Sequence, residues 1–195
     1  MEGCRPSSFP IDQNLKLDLD KEGSKVDAGS YRRLVGRLLY LQATRPDIAY
    51  AVNILSQFVS DPRQSHMDAA IRVLCYKATP GQGILLTKEE STDLVAYADS
   101  DWLGCPLTRR SRTGYLILLG GAPISWKTKK QSVVSCSSAD AEYRAMALIV
   151  KSKEICPLAI DSKLQLADLL TKGLGAAQLR FLLDKLGALD LHTLA

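Results

Sequence analysis

The side chains best placed to do chemistry in this sequence are three carboxylates. Asp99 closes an otherwise apolar run, Leu94-Val95-Ala96-Tyr97-Ala98, and is followed by Ser100-Asp101-Trp102. A carboxylate ending a buried strand is a site candidate, although strands also commonly end in a polar turn residue. Glu142 stands early in a helical pattern that opens at Ser137-Ser138, on the side of Tyr143 and Met146. An acid in a first turn also simply stabilises the helix dipole. Asp168, between Ala167 and Leu169-Leu170, reads equally well as an ordinary helix acid. As a set, acids on separate rigid elements suit two-metal cleavage of a phosphodiester, in which carboxylates hold two Mg²⁺ ions roughly 3.5–4 Å apart. Spacing alone does not bring the three together.

Positive charge gathers in two places. Arg109, Arg110 and Arg112 fall between two strand patterns, and Lys127, Lys129 and Lys130 sit where a hairpin connection is expected. Both clusters can grip phosphates in a salt-dependent way, and both are equally what solvated turns contain. Trp102 and Trp126 can stack on bases or sugars, or pack in a core. The net charge of +4 permits a nucleic-acid partner without requiring one.

Five cysteines, at positions 4, 75, 105, 136 and 156, are odd in number and have no C-x-x-C spacing. With only two histidines to join them, a zinc site is not indicated, and the expectation is five reduced thiols in an intracellular protein. No stretch resembles a signal peptide or approaches a membrane span. The expected location is therefore cytoplasmic or nuclear rather than secreted, with no membrane partner. The opening residues read like the middle of a longer protein.

The elements that must position these groups follow from periodicity. Residues 1–29 are polar, broken by Pro6, Pro10, Gly23 and Gly29, and read as an extended linker or arm. Ser30 is the expected cap of a helix reaching about Thr44, with Tyr31, Leu34, Val35, Leu38 and Leu41 as its stripe. A second helix is expected from Pro46 to Phe58 and a third over 64–77. After Thr79-Pro80-Gly81 the period changes. Strands are expected at 84–86, 94–98, 114–119, 123–127 and 131–135, the last three forming an antiparallel meander with turns at Gly120-Gly121 and Lys129-Lys130. A helix from Ser138, with Tyr143, Met146, Ala147 and Val150 inward, and tail helices at 163–172 and 176–187 complete the reading.

Several ordered strings resemble the C-terminal part of the Pol polyprotein of copia-type LTR retrotransposons, which are abundant in plants. Tyr31-Arg32-Arg33-Leu34-Val35-Gly36-Arg37-Leu38-Leu39-Tyr40-Leu41 and Thr44-Arg45-Pro46-Asp47-Ile48 are similar to the segment closing the reverse transcriptase. Tyr97-Ala98-Asp99-Ser100-Asp101-Trp102 resembles the first ribonuclease H strand, and Ile124-Ser125-Trp126-Lys127 with Lys130-Gln131-Ser132 the hairpin beyond it. Ser137-Ser138-Ala139-Asp140-Ala141-Glu142-Tyr143 looks like its first helix, and Leu166-Ala167-Asp168-Leu169-Leu170-Thr171-Lys172 like its last catalytic segment.

The resemblance implies an α+β fold, with a helical reverse transcriptase segment at 30–80 and a ribonuclease H-like domain at 81–190. It implies that Asp99, Glu142 and Asp168 are three of four metal-binding carboxylates, with Asp99 preferred to Asp101 because it directly ends the strand. The cofactor would be Mg²⁺ or Mn²⁺ and the substrate the RNA strand of an RNA–DNA hybrid. One part of the family pattern is missing. The remaining carboxylate belongs to an Asp-Asn pair on a later strand, and the sequence contains no Asp-Asn pair. Between Val150 and Asp161 there is no room for the helix-plus-strand crossover that would carry it, which points to an internal deletion near 150–155. Catalysis should be impaired, and 94–99 should become a sheet edge able to pair with an intact reverse transcriptase or a second copy of the chain. Non-catalytic binding of hybrid or RNA is the alternative.

Overall fold

The computed structural model describes residues 5–15, 17–76, 81–86, 91–149 and 158–190. Three helices come first: α1 (Ala28–Leu41), α2 (Ala49–Leu55) and α3 (Gln64–Cys75). Helix α1 is capped by Asp27, whose carboxylate accepts from the amides of Gly29 and Ser30 at 3.2 and 2.8 Å. The expected cap, Ser30, lies instead inside the first turn, because the aspartate three residues earlier is a charged acceptor in the right place. Tyr31, Val35 and Leu38 form the buried stripe. The second expected helix is shorter than its pattern: α2 is flanked by 3-10 turns at Pro46–Ile48 and Ser56–Phe58.

The described residues before α1 contain no helix or long strand, yet they are packed down. Ile11 and Leu17 are buried in the core. The His66 ring, fully buried and stacked on Phe58 at 3.9 Å, accepts the Arg63 amide on Nδ1. Its proton therefore sits on Nε2, which donates to the Asp18 carbonyl at 2.7 Å and ties the arm to α3.

Strands β2 (Leu94–Ser100), β3 (Arg112–Leu119) and β4 (Ala122–Lys130) form an antiparallel sheet in that order; β1 (Gln82–Ile84) pairs separately with the C-terminal β5 (Ala188–Asp190). The β3–β4 hairpin turns at Gly120 and Gly121, with φ of 55° and 79°, the left-handed pair that a tight hairpin demands. A register shift after Ile117 leaves Ile124 without a cross-strand partner.

The meander differs from expectation at its far end. β4 continues through Lys130, so Lys129 and Lys130 are paired strand residues rather than a turn, opposite Thr113 and Arg112. Residues 131–135 form no strand. There the Gln131 amide donates to Ser100 Oγ, Thr113 Oγ1 and the Ala141 carbonyl at 3.0–3.3 Å, and Ser135 donates back to it. Those bonds fold the chain into helix α4 (Ser138–Ile149) instead of extending the hairpin. The face of α4 also differs. Ala141 and Ala145 are the buried positions, while Tyr143 is 70% exposed, because small side chains let the helix lie close on β2 and β3.

The tail holds a 3-10 turn at Ser162–Leu164, a four-residue helix α5 (Asp168–Thr171) and α6 (Ala176–Lys185), so the expected helix over 163–172 is broken in two. Gly187, at φ +70°, then reverses the chain into β5. The expected deletion near 150–155 lies outside the described residues. Cys75 is disulfide-bonded, which corrects the expectation of five reduced thiols; Cys105 and Cys136 are free. Irregular cysteine spacing carries no information about such a pairing. Among the described residues, no helix is long and apolar enough to cross a membrane.

One hydrophobic cluster runs through the whole architecture, from Tyr31 and Leu55 through Leu116 to Leu170 and Leu182. Leu55→Ala in α2 and Leu182→Ala in α6, both at fully buried side chains, should each cost about 2–5 kcal/mol. Each should shift a single urea transition seen alike by far-UV circular dichroism and tryptophan fluorescence. Two separated transitions would show that the helical segment and the sheet unfold independently.

Candidate functional site

Asp99 is the penultimate residue of β2 and lies opposite Gly114 on β3. That glycine determines what can approach. A Cβ at position 114 would fall 2.6 Å from Leu170 Cβ and 2.9 Å from Thr171 Cγ2. Without one, α5 settles directly on the sheet beside Asp99. The Thr171 hydroxyl donates to Asp99 Oδ2. The Lys172 ammonium, leaving the end of α5, lies 3.2 Å from Asp99 Oδ1 and 2.6 Å from Asp168 Oδ1. Both carboxylates are buried, Asp99 at 5% and Asp168 at 8% exposure.

Glu142 reaches the same place from α4. Burial, the charge of Asp99 and, more weakly, that of Asp168 push its carboxyl up to about 6, against the pull of the Ser100 amide and of Lys172. Asp168 is also raised, first by burial, with Lys172 opposing and Asp99 reinforcing the shift. Burial alone would lower the Lys172 ammonium, but its hydrogen bond to Asp168 and the charge of Asp99 hold it above the ordinary lysine value. The structure thus places the three candidate acids, from one strand and two helices, in one electrostatic cluster.

The oxygen-only donor set has the chemistry that Mg²⁺ prefers. Its arrangement does not fit a divalent ion, because Lys172 stands between the two aspartates and Thr171 takes the other oxygen of Asp99. Among the described residues, no group of three or more His, Cys, Asp or Glu is arranged to hold a metal.

Asp101 belongs to a different cluster. Its carboxylate accepts from the Arg112 amide and pairs with the Arg112 guanidinium at 3.0 Å, and burial pushes its carboxyl up. Arg112, expected among the phosphate-binding cations, is only 2% exposed. It also donates to Asn53 Oδ1 at 3.0 Å and lies over the Tyr50 ring, which ties the sheet to α2. Lys130 is likewise turned inward, onto Gln57 Oε1 and towards Cys105 Sγ. Arg109, Arg110, Lys127 and Lys129 remain exposed. Trp126 packs against the core with its indole N–H on the Gln42 carbonyl, whereas Trp102 is more than half exposed.

Gly114, Thr171 and Lys172 were not singled out by sequence reasoning. Lys172 was within reach of it: an acid four residues before a lysine on one helix face is a favoured ion pair, and Asp168 and Lys172 have that spacing. The role of Gly114 depends on which helix returns to the sheet, and no local pattern carries that.

No protein-family model and no solved structure matches the chain. Several curated proteins do. It is 46% identical over 145 residues to the retrovirus-related Pol polyprotein from transposon RE1 of Arabidopsis thaliana, covering 74% of this chain and 10% of that protein. It is 45% identical over 150 residues to an uncharacterised mitochondrial protein of the same plant, covering 76% of this chain and 62% of the relative. It is also 46% identical over 118 residues to secreted RxLR effector protein 161 of Plasmopara viticola, covering 60% of this chain and 83% of the relative. The chain belongs to the Pol polyproteins of copia-type retrotransposons. It spans about a tenth of the length of the transposon RE1 polyprotein.

The raised Glu142 carboxyl gives a pH signature. Folding holds its proton more tightly than the unfolded chain does, so its ionisation costs stability progressively as pH rises from 4.5 to about 6. Asp168 contributes with the same sign from 3.8 upward. Glu142→Gln should gain stability relative to the parent across that window and hold the gain above it, measured by urea midpoints. A difference that is flat or shrinks with rising pH would show that the Glu142 proton is not held by this cluster.

Proposed function

We propose that this region is a ribonuclease H-like domain whose ancestral reaction, hydrolysis of the RNA strand of an RNA–DNA hybrid during reverse transcription, is impaired in this chain. The observation that supports this reading is that Asp99, Glu142 and Asp168, from β2, α4 and α5, act on one another electrostatically. Two things argue against surviving hydrolysis: no Asp-Asn pair is present to supply the missing carboxylate, and Lys172 stands between the two aspartates. Folded protein incubated with a labelled hybrid and either Mg²⁺ or Mn²⁺ should cleave no faster than Asp99→Asn or a protein-free control. Cleavage that Asp99→Asn abolishes would overturn the impaired reading.

A second reading, retention of hybrid or RNA binding without hydrolysis, is favoured by the four exposed cations. Lys129 pairs with Thr113, one position from the Gly114 that faces Asp99, so the basic residues of β4 lie at the same end of the sheet as the acids. Phosphates held there would be gripped by Lys127, Lys129, Arg109 and Arg110. The double variant Lys127→Glu and Lys129→Glu should weaken hybrid binding and reduce the slope of log affinity against log salt by about 2. An unchanged slope would remove these lysines from any nucleic-acid interface.

A further inference from the structure

We propose that Lys172 is a built-in counter-cation that closes the acidic cluster to divalent ions, so that removing its ammonium would open a metal-binding site at Asp99 and Asp168. The inference rests on the placement of these side chains and not on the hydrolytic ancestry. The side chains of Asp99 and Asp168 are 7% and 11% exposed, and buried carboxylates need a partner charge. Lys172 supplies it to both at once. Its own side chain is 43% exposed, so it reaches in from the surface and has somewhere to go if displaced.

A tethered ammonium has an advantage over a free ion. It leaves α5 directly after Thr171, whose hydroxyl already holds Asp99, and so is delivered at high effective concentration. Mg²⁺ would have to shed water and dislodge that ammonium to gain the same oxygens. With the lysine gone, Asp99 and Asp168 would face each other with no cation between them, and Glu142 adds to the same negative field. A divalent ion is the species best suited to relieve that arrangement.

The test uses the full chain, with Mn²⁺ binding read by water-proton relaxation and Mg²⁺-dependent stability read by urea unfolding. Neither measurement needs nuclease activity, so a failed cleavage assay leaves this proposal untouched. Lys172→Met and Lys172→Gln should bind Mn²⁺ at least about tenfold more tightly than the parent and gain stability with millimolar Mg²⁺. Lys172→Arg, which keeps the charge, should behave like the parent. Adding Asp99→Asn to Lys172→Met should abolish the gain. Should the neutral variants fail to fold in chelator, millimolar Mg²⁺ should restore them. The proposal is overturned if parent and neutral variants bind Mn²⁺ equally, if the parent is itself stabilised by Mg²⁺ as strongly, or if unfolded variants are not rescued by the ion.

Discussion

Asp99 and Asp168 are carboxylates almost removed from water, and much of the surrounding structure acts to make that tolerable. A glycine opposite Asp99 lets α5 approach to a distance that any side chain would forbid. The approach delivers Thr171 to one carboxylate oxygen and Lys172 to the space between the two acids. Four residues of helix, unstable by length alone, are thereby held by a sheet, a hydroxyl and an ion pair. The same arrangement explains why α5 is so short: Lys172 is already extended, with φ −129° and ψ 148°.

A second buried charge joins this sheet to the helical segment. Arg112 begins β3 and reaches Asp101 on one side and Asn53 and Tyr50 of α2 on the other. A guanidinium so enclosed is costly unless all its directions are met, and here a carboxylate, an amide oxygen and an aromatic face meet them. Trp126 makes a parallel link, from β4 to the carbonyl of Gln42 at the end of α1. The helical segment and the sheet thus share one core, and packing draws no boundary between them near residue 80.

Local rules found what local rules govern. The α+β composition of elements, the helices at α1, α3 and α6 and the Gly120-Gly121 hairpin were all legible, because periodicity and turn chemistry are short-range. Strand 131–135 was misread because its Val133-Val134 pair has strand propensity, whereas the bonds that bend the chain there go to Ser100, Thr113 and Ala141. The inward face of α4 was misread because large apolar residues mark a core only where there is room for them; against this sheet, Ala141 and Ala145 fit and Tyr143 does not. Arg112 and Lys130 looked like surface cations because their partners, Asn53 and Gln57, are far away in sequence.

The presence of the three acids is therefore weak evidence of catalysis. Once Asp99 is buried against α5, the cluster has stability reasons of its own to survive. Loss of Lys172 strands two carboxylates, while loss of Asp99 removes the carboxylate acceptor of the Thr171 hydroxyl and loss of Asp168 removes the shorter of the two contacts to the ammonium. A neutral substitution at one position is thus costly unless another changes with it, whatever the reaction rate. The open side of β2 is under the opposite pressure. Among the described residues β2 pairs only with β3, and its Leu94 and Val95 are exposed, so the end of the strand away from Asp99 offers unpaired backbone beside apolar side chains. One strand thus carries, at one end, a buried carboxylate held by Thr171 and Lys172 and, at the other, an edge with no such closure. The hydroxyl and the ammonium keep the first in place, and no strand among the described residues covers the second.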